Sequence, residues 1–409
     1  MKRLYFSIYF ILFTFLQLLA QSGFTLKSVE RVDIPFEYKN NLIIVSATFQ
    51  GVLPLKFIFD TGAEHTIISK KEITDLLNIP YRREFKLIGS DMSTEISAFL
   101  ISGIQLQIAD LLLPNRSMLV LEKDVLSIEE VAGIQVHGIL GADIFKRYIV
   151  QFDYQKKIVS LYSLGAFKMP KKGPDFDTLD IEIYKNKPYL KENIWLNSRD
   201  SLAVKLIIDS GAALAVLLHT NTDSLLQVPD NAVLGKLAFG LGGFIEGYLG
   251  RSRRLQLGKF QLYDVLTNFQ DLNTNLDTSF LNGRNGLIGN QALNRFDIII
   301  DYPREKLYLR PNKSYRKIFE FDKSGLIIIA TGLALNQFII HDVLDSSPAE
   351  AAGLKKGDTI KSINRISTKF LSLKIITDIL KKKEGKRIRM VVKREGKRQV
   401  YYFKLQTIL

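Results

Sequence analysis

Two copies of one short motif constrain the fold of this chain more than any other feature of its sequence. Phe57–Ile68 reads FIFDTGAEHTII, and Leu206–Leu218 reads LIIDSGAALAVLL. In each copy an apolar run, typical of a buried strand, ends at Asp-Thr/Ser-Gly-Ala and is followed by a second apolar run. One Asp-Thr-Gly arises often by chance, whereas two copies in matching surroundings indicate an internal repeat.

The repeat extends beyond the two aspartates, Asp60 and Asp209. Residues 137–162 read HGILGADIFKRYIVQFDYQKKIVSLY, and residues 285–310 read NGLIGNQALNRFDIIIDYPREKLYLR. The matched positions are Gly138 with Gly286, Gly141 with Gly289, Arg147 with Arg295, and Asp153-Tyr154 with Asp301-Tyr302. Each Asp motif is therefore followed, after nearly the same interval, by an apolar-apolar-Gly motif. The chain is expected to contain two similar lobes.

The two motif pairs resemble the pepsin/retropepsin family of aspartic proteases over roughly residues 30–312. The resemblance implies a mainly β, two-lobe β-barrel fold, in which each Asp loop threads a psi-shaped crossing of strands. It implies hydrolysis of peptide bonds in peptides or unfolded proteins, with Asp60 and Asp209 as the catalytic residues. It also implies that the hydroxyls of Thr61 and Ser210 bond across the two loops and hold the carboxylates coplanar.

The motif glycines, Gly62 and Gly211, are further supporting residues, because glycine allows the tight backbone bend that exposes each carboxylate. Two carboxylates that lie close together cannot both ionise cheaply, so they share one proton. The ionised member can act as general base toward a water, while the protonated member hydrogen-bonds the substrate carbonyl. A non-catalytic peptide-binding protein that keeps the protease fold is the alternative.

This chemistry needs no cofactor and no metal. The sequence has no Cys, which excludes a disulfide framework and a cysteine nucleophile. Its four histidines are too scattered to indicate a metal site: His65, His137, His219 and His341.

Each lobe also contains a segment that indicates a β-hairpin. Lys86–Ile104 alternates around a Gly-Ser-Asp turn, where the resembled family has a flap over its cleft, although the Tyr of pepsin-like flaps is missing. Phe239–Gly250 reads FGLGGFIEGYLG, which fits a flexible loop or a mobile flap with Phe244 and Tyr248 facing substrate. A dinucleotide-binding loop does not fit, because Ile245 stands where the last glycine is required.

The amino-terminal segment predicts export. Lys2 and Arg3 precede a long apolar run, and Ala20 follows it. This pattern is typical of a signal peptide cleaved near Ala20, and it predicts a periplasmic or extracellular protein. An uncleaved membrane anchor is the alternative, since the apolar run is just short of the span a bilayer needs. A membrane is an expected partner only in that case.

The last part of the chain resembles a second family. Ser-Pro-Ala at 347–349, Ala-Gly-Leu at 352–354 and Gly-Asp at 357–358 lie between apolar strands. This pattern resembles a bacterial-type PDZ domain and implies a small α+β fold. Such domains bind the terminal carboxylate of a peptide through backbone N–H groups. Gly325, Leu326 and Ile327 are the candidates for that loop, and a groove helix is expected near Leu373–Leu380.

Most of the net charge of +14 lies beyond residue 315. The charges of residues 381–404 alternate with apolar side chains, as on the solvated face of a hairpin, so nucleic acid is not an expected partner. The predicted parts of the chain are a signal peptide (1–20), a first lobe (21–165), a linker (166–182), a second lobe (183–312) and a PDZ domain (320–409).

Overall fold

The computed structural model describes residues 30–124, 128–171, 175–197, 200–272 and 281–409. The expected signal peptide lies outside these residues. The described chain is mainly β, and the predicted fold class is confirmed. Within the described ranges, no helix combines the length and the apolar character that crossing a bilayer requires.

The first lobe is built from short strands joined by tight turns. Its strands are β1 (Arg31–Lys39), β2 (Leu42–Phe49), β3 (Leu53–Phe59), β4 (Ile67–Ile68), β5 (Arg83–Ile88), β6 (Glu95–Ile108), β7 (Leu111–Leu121), β8 (Gly138–Leu140), β9 (Ile149–Asp153) and β10 (Ile158–Tyr162). Its helices are α1 (Lys71–Leu76), α2 (Ile128–Ala132) and α3 (Ala142–Phe145).

The second lobe repeats this plan. Its strands are β11 (Asp177–Asp180), β12 (Glu182–Tyr184), β13 (Lys187–Trp195), β14 (Leu202–Ile208), β15 (Val216–His219), β16 (Val233–Gly240), β17 (Gly243–Leu257), β18 (Phe260–Gln270), β19 (Gly286–Ile288), β20 (Phe296–Asp301) and β21 (Lys306–Pro311). A 3₁₀ turn (Thr220–Thr222) follows β15, and helix α4 (Asn290–Leu293) follows β19. Part of the expected linker is therefore a strand, because β11 pairs with β21.

One sheet continues from the first lobe into the second. The second-to-last strands of the two repeats, β9 and β20, pair antiparallel, with Val150 opposite Ile300 and Phe152 opposite Ile298. All four of these side chains are buried in a single apolar cluster that contains residues of both lobes. The interface between the lobes is therefore part of the hydrophobic core.

The same strand crossing places the Asp motif in both lobes. In the first lobe β8 lies between β3, to which it runs parallel, and β4, to which it runs antiparallel. In the second lobe β19 lies between β14 and β15 in the same way. The chains approach closely there, since a Cβ at Gly138 would lie 2.0 Å from the Ile67 oxygen, and one at Gly286 would lie 1.8 Å from the Leu217 oxygen. Only glycine fits at these two positions.

The carboxyl-terminal part has its own sheet and its own apolar core. Its strands are β22 (Leu326–Thr331), β23 (Gln337–Val343), β24 (Thr359–Ile363), β25 (Ile366–Ser367), β26 (Arg387–Arg394) and β27 (Lys397–Lys404). Its helices are α5 (Pro348–Ala351), a 3₁₀ turn (Thr368–Phe370) and α6 (Leu373–Leu380). Ser347 caps α5 by accepting a hydrogen bond from the Glu350 N–H, and Pro348 follows as a favourable first residue.

Candidate active site

Each aspartate directly follows a buried strand and is fixed by the strand of the apolar-apolar-Gly motif. The Asp60 N–H donates to the Leu140 oxygen at 3.0 Å, and the Asp209 N–H donates to the Ile288 oxygen at 2.9 Å. Leu140 and Ile288 end β8 and β19, so both parts of the repeated motif meet at each aspartate.

The structure brings the two aspartates together at the boundary between the lobes. A Cβ at Gly211 would lie 2.2 Å from Cγ of Asp60, and a Cβ at Gly62 would lie 2.6 Å from Cγ of Asp209. Each carboxyl group therefore packs against the glycine of the opposite loop, where no side chain could be accommodated. The two glycines allow this approach through their lack of a side chain.

Thr61 and Ser210 hold the two loops against each other through four reciprocal hydrogen bonds. Thr61 Oγ1 accepts from the Ser210 N–H at 2.9 Å and donates to the Ile208 oxygen at 2.6 Å. Ser210 Oγ accepts from the Thr61 N–H at 3.0 Å and donates to the Phe59 oxygen at 2.8 Å. Both hydroxyls are buried, so the bonds fix the separation and orientation of the aspartates.

The two carboxyl groups have different surroundings. Asp60 Oδ1 accepts from the N–H groups of Gly62 at 2.7 Å and Ala63 at 3.0 Å, and Asp209 Oδ1 accepts from the Gly211 N–H at 2.8 Å. Burial raises the pKa of Asp60 well above its ordinary value, and the charge of Asp209 raises it further. Burial also raises the pKa of Asp209, but its bonds to Gly211 and Asp60 oppose this. Because two carboxyl groups this close cannot both ionise cheaply, the pair shares one proton.

Two hairpins, one from each lobe, meet at their tips. The Ser90 N–H, in the turn between β5 and β6, donates to the Leu241 oxygen at 2.5 Å, and the Leu241 N–H donates to Ser90 Oγ at 3.0 Å. Leu241, in the turn between β16 and β17, also packs on an apolar cluster together with Ala63. Met92 reaches the second lobe and packs against Leu272 and Leu281. The hairpins thus cover the Asp loops.

The second hairpin forms within Phe239–Gly250, as the sequence indicates. Its strands β16 and β17 pair with Phe239 opposite Phe244, and the register shifts between Lys236 and Ala238. The Phe244 ring stacks on His341 of β23 instead of facing a substrate, and Tyr248 is partly exposed. The aromatic side chain at the hairpin is used for packing against the carboxyl-terminal domain.

Asn290 is a site residue that the sequence reasoning missed. Its side-chain Nδ2 donates to the Ser210 oxygen at 2.5 Å, and its Oδ1 accepts from the Tyr154 hydroxyl at 2.7 Å. It is fully buried beneath the second Asp loop and links that loop to the first lobe. The sequence does mark this position, because the matched residue in the first lobe is Ala142. A polar residue in one copy of the repeat thus stands where the other copy has alanine.

In the carboxyl-terminal domain, two of the three candidate N–H donors already have partners. The Gly325 N–H donates to Asp322 Oδ1 at 2.7 Å, and the Leu326 N–H donates to Ser324 Oγ at 3.2 Å. Asp322 also accepts from the Ser324 N–H at 2.8 Å. A carboxylate of the chain itself therefore occupies part of the loop that was expected to bind a peptide terminus.

The groove beside this loop is bordered by the first lobe. Helix α2 lies against β22, which is an edge strand of its sheet. A Cβ at Gly133, just after α2, would lie 2.9 Å from Cβ of Leu373 at the start of α6. Gln135 Nε2 donates to the Leu333 oxygen at 3.4 Å. The segment that begins with α2 therefore runs along both walls of the groove between β22 and α6.

Among the described residues, no group of three or more His, Cys, Asp or Glu side chains is arranged to hold a metal ion.

A family model for the aspartyl protease matches residues 45–144, and a family model for the PDZ domain matches residues 317–405. Comparison with curated proteins finds no match. The first match includes Asp60, and Asp209 lies beyond it. The chain therefore contains an aspartyl protease domain and a carboxyl-terminal PDZ domain.

Proposed function

We propose that the protein is an exported aspartic endopeptidase in which Asp60 and Asp209 activate one water for attack on a peptide bond. The observation that carries this proposal is the packing of each carboxyl group against the glycine of the opposite Asp loop. The aspartyl protease and PDZ matches support a peptidase with a peptide-binding module. Export rests on the sequence of residues 1–20 alone.

In the first step Asp209 is the ionised general base, because the positive charge of Arg284 favours its charged form. It takes a proton from the water as the water oxygen attacks the carbonyl carbon. Asp60 donates its proton to the carbonyl oxygen, so that the product is a neutral gem-diol.

In the second step the C–N bond breaks. Asp209 returns its proton to the leaving nitrogen, and a hydroxyl of the gem-diol returns a proton to Asp60. The amine and the acid leave, and the pair regains its starting protonation. The Thr61–Ser210 bonds keep both carboxyl groups in place through both steps.

The PDZ domain is proposed to bind peptide segments and deliver them to the cleft. A peptide added to the edge of β22 would have to displace α2 of the first lobe, because α2 lies against that strand. Binding of a peptide in the groove would therefore change the contacts between the PDZ domain and the first lobe.

The test is incubation of the purified protein with a diverse peptide library at several pH values, with mass spectrometry of the products. Internal cleavage that is lost in Asp60→Asn and in Asp209→Asn supports the proposal. Peptide binding without cleavage at any pH would instead identify a non-catalytic peptide-binding protein with the protease fold.

A further inference from the structure

Several polar atoms without hydrogen-bond partners lie on the second-lobe side of the two aspartates. Among the described residues they include the Tyr189 hydroxyl, both ring nitrogens of His219 and Nε of Arg284. Tyr189 and His219 are each only 1% exposed. A buried polar group without a partner is costly, so such a cluster indicates a place that another molecule occupies.

The fold brings these residues together from three separate strands. Tyr189 lies on β13, His219 ends β15, and Arg284 lies in the turn before β19. The His219 N–H donates to the oxygen of Asn285, the residue after Arg284, at 2.7 Å. Arg284 Nη2 lies 3.5 Å from Sδ of Met92, at the tip of the first-lobe hairpin. The cluster therefore lies below that hairpin and inside the second lobe.

The cluster is electrically close to the catalytic pair. Burial raises the pKa of Asp209 and lowers that of His219; the positive charge of Arg284 opposes the first shift and adds to the second. Lys187 begins β13, two residues before Tyr189; burial lowers its pKa, and the charge of Arg284 lowers it further. Neither Arg284 nor Lys187 forms an ion pair within 4.0 Å with a carboxylate of the described residues. These two cations thus lie near Asp209 without an ion-pair partner among the described residues.

We propose that Tyr189, His219 and Arg284 form a substrate subsite for a carboxylate next to the scissile bond, with Lys187 adding to the positive field. This inference rests on the proposed peptidase function. A carboxylate can accept a two-point bond from a guanidinium and further bonds from a hydroxyl and a ring N–H, so one ligand would satisfy all three side chains. It would also supply the missing counter-ion of Arg284.

Two sources provide this chemistry: an Asp or Glu side chain within a peptide, and the terminal carboxylate of a peptide. The test uses peptides that differ only by Glu or Gln at each position flanking the cleaved bond, each made with a free and with an amidated carboxyl terminus. A side-chain ligand predicts a Glu-over-Gln preference of about tenfold or more in kcat/KM at one position. A terminal ligand predicts the same preference for the free acid over the amide.

Arg284→Met should abolish this preference, and Arg284→Lys should restore part of it. The Glu/Gln ratio is measured within each variant, so any effect of Arg284 on the proton affinity of Asp209 cancels. Lys191→Met is the matched control, because Lys191 is an exposed lysine of the same strand as Tyr189, and it should leave the ratio unchanged. Thermal unfolding of each variant shows whether it is folded.

A second measurement keeps the subsite testable if no peptide is cut. Binding of the same fluorescent peptides to Asp60→Asn is followed by anisotropy, with and without Arg284→Met. Binding that depends on the carboxylate but without cleavage would overturn the proposed peptidase and support the subsite. Equal cleavage or binding of the Glu and Gln peptides, and of the free-acid and amidated peptides, would overturn the subsite. Ordered water would then be the partner of the unpaired polar atoms.

Discussion

The imidazole ring of His341 stacks on the phenyl ring of Phe244, with ring centroids 4.3 Å apart and ring planes 18° from parallel. Lys236 of the same hairpin places Nζ 3.5 Å from an oxygen of Asp342 and 5.4 Å from the centre of the Phe244 ring. These contacts join the PDZ domain to the second-lobe hairpin, which in turn bonds to the first-lobe hairpin. The PDZ domain is therefore held, through one hairpin, to both of the hairpins that cover the Asp loops.

His341→Ala should loosen the second-lobe hairpin. An aromatic pair contributes about 0.5–1.5 kcal/mol, so amide exchange in β16 and β17 should accelerate by up to about tenfold. Hydrogen exchange with mass spectrometry measures this. Tyr263→Ala is the control, since Tyr263 is an exposed aromatic residue on the neighbouring strand β18. Unchanged exchange in β16 and β17 would show that the stacked pair does not restrain the hairpin.

Asp60→Asn and Asp209→Asn should each abolish turnover and stabilise the protein at neutral pH. Burial raises the pKa of both carboxyl groups in the folded state, so the folded chain binds their protons more tightly than the unfolded chain. Stability is then lost as the pH rises from the pKa of each carboxyl group in the unfolded chain towards its higher pKa in the folded protein. The loss is at most about 1.4 kcal/mol per pH unit for each proton. Asparagine avoids this loss.

Urea unfolding at pH 4 and pH 7 checks the sign. At pH 7 the free energy of unfolding should be higher for the variants than for the native protein. This difference should shrink towards pH 4, which is near the pKa of an aspartate in the unfolded chain. Asp110→Asn, in an exposed turn, is the control and should show no such gain. A variant that is less stable than the native protein at pH 7 would contradict the raised pKa values.

Ala63→Ser and Ala212→Thr should shift the acidic limb of the pH profile downwards. Asp60 accepts N–H bonds from Gly62 and Ala63, and alanine offers no side-chain donor. An added hydroxyl donor favours the charged carboxylate and lowers its pKa by about one unit. The native optimum should accordingly lie near roughly pH 5–7. The pH dependence of kcat/KM measures both, and an acidic limb that stays in place would reject this role for the alanines.

His219→Phe should reduce the loss of stability in acid. Burial lowers the pKa of His219 to about 3, far below its ordinary value of 6.5. As the pH decreases, His219 is therefore protonated in the unfolded chain before it is protonated in the folded protein. The free energy of unfolding falls as the pH decreases from about 6.5 towards 3. Phenylalanine removes that term, so the variant should lose less stability than the native protein between pH 7 and pH 4. The exposed His65, replaced in the same way, should give no protection.

Thr61→Val should destabilise the protein by about 2 kcal/mol. The change keeps the side-chain shape but removes the acceptor for the Ser210 N–H and the donor to the Ile208 oxygen. Buried backbone groups left unpaired in this way cost about 1–3 kcal/mol. Urea unfolding measures the loss, with the exposed Thr407→Val for comparison. A loss below about 0.5 kcal/mol, the usual range for surface changes, would mean that the crossed bonds do not hold the lobes.

The sequence predicted the fold and the meeting of the aspartates because the repeat is written in short local patterns. Strand, Asp loop and glycine crossing each occupy a few consecutive residues, and their duplication shows that two such units must face each other. The repeat was less reliable for single side chains. Arg147 and Arg295 are matched in sequence, yet Arg147 is exposed, whereas Arg295 is buried with its guanidinium 3.6 Å from the centre of the Phe319 ring.

Contacts between distant segments without a repeated pattern were not predictable. Met92 meets Arg284, and Ser90 meets Leu241, only after both lobes and both hairpins are in place. The stacking of Phe244 on His341 likewise depends on how the PDZ domain packs on the second lobe. Their residue types are ordinary for hairpins and turns, so nothing in the local sequence marks them as part of the site.

The pairing of β9 with β20 has a consequence for how the chain can be divided. The lobes are joined by backbone hydrogen bonds and a common core, so the peptide connection between them is not what keeps them together. Two polypeptides, one ending near residue 171 and one beginning near residue 175, should therefore associate when made in the same cell. Either one alone would present the bare edge of β9 or β20, a template for aggregation, so each half depends on the other to remain in solution.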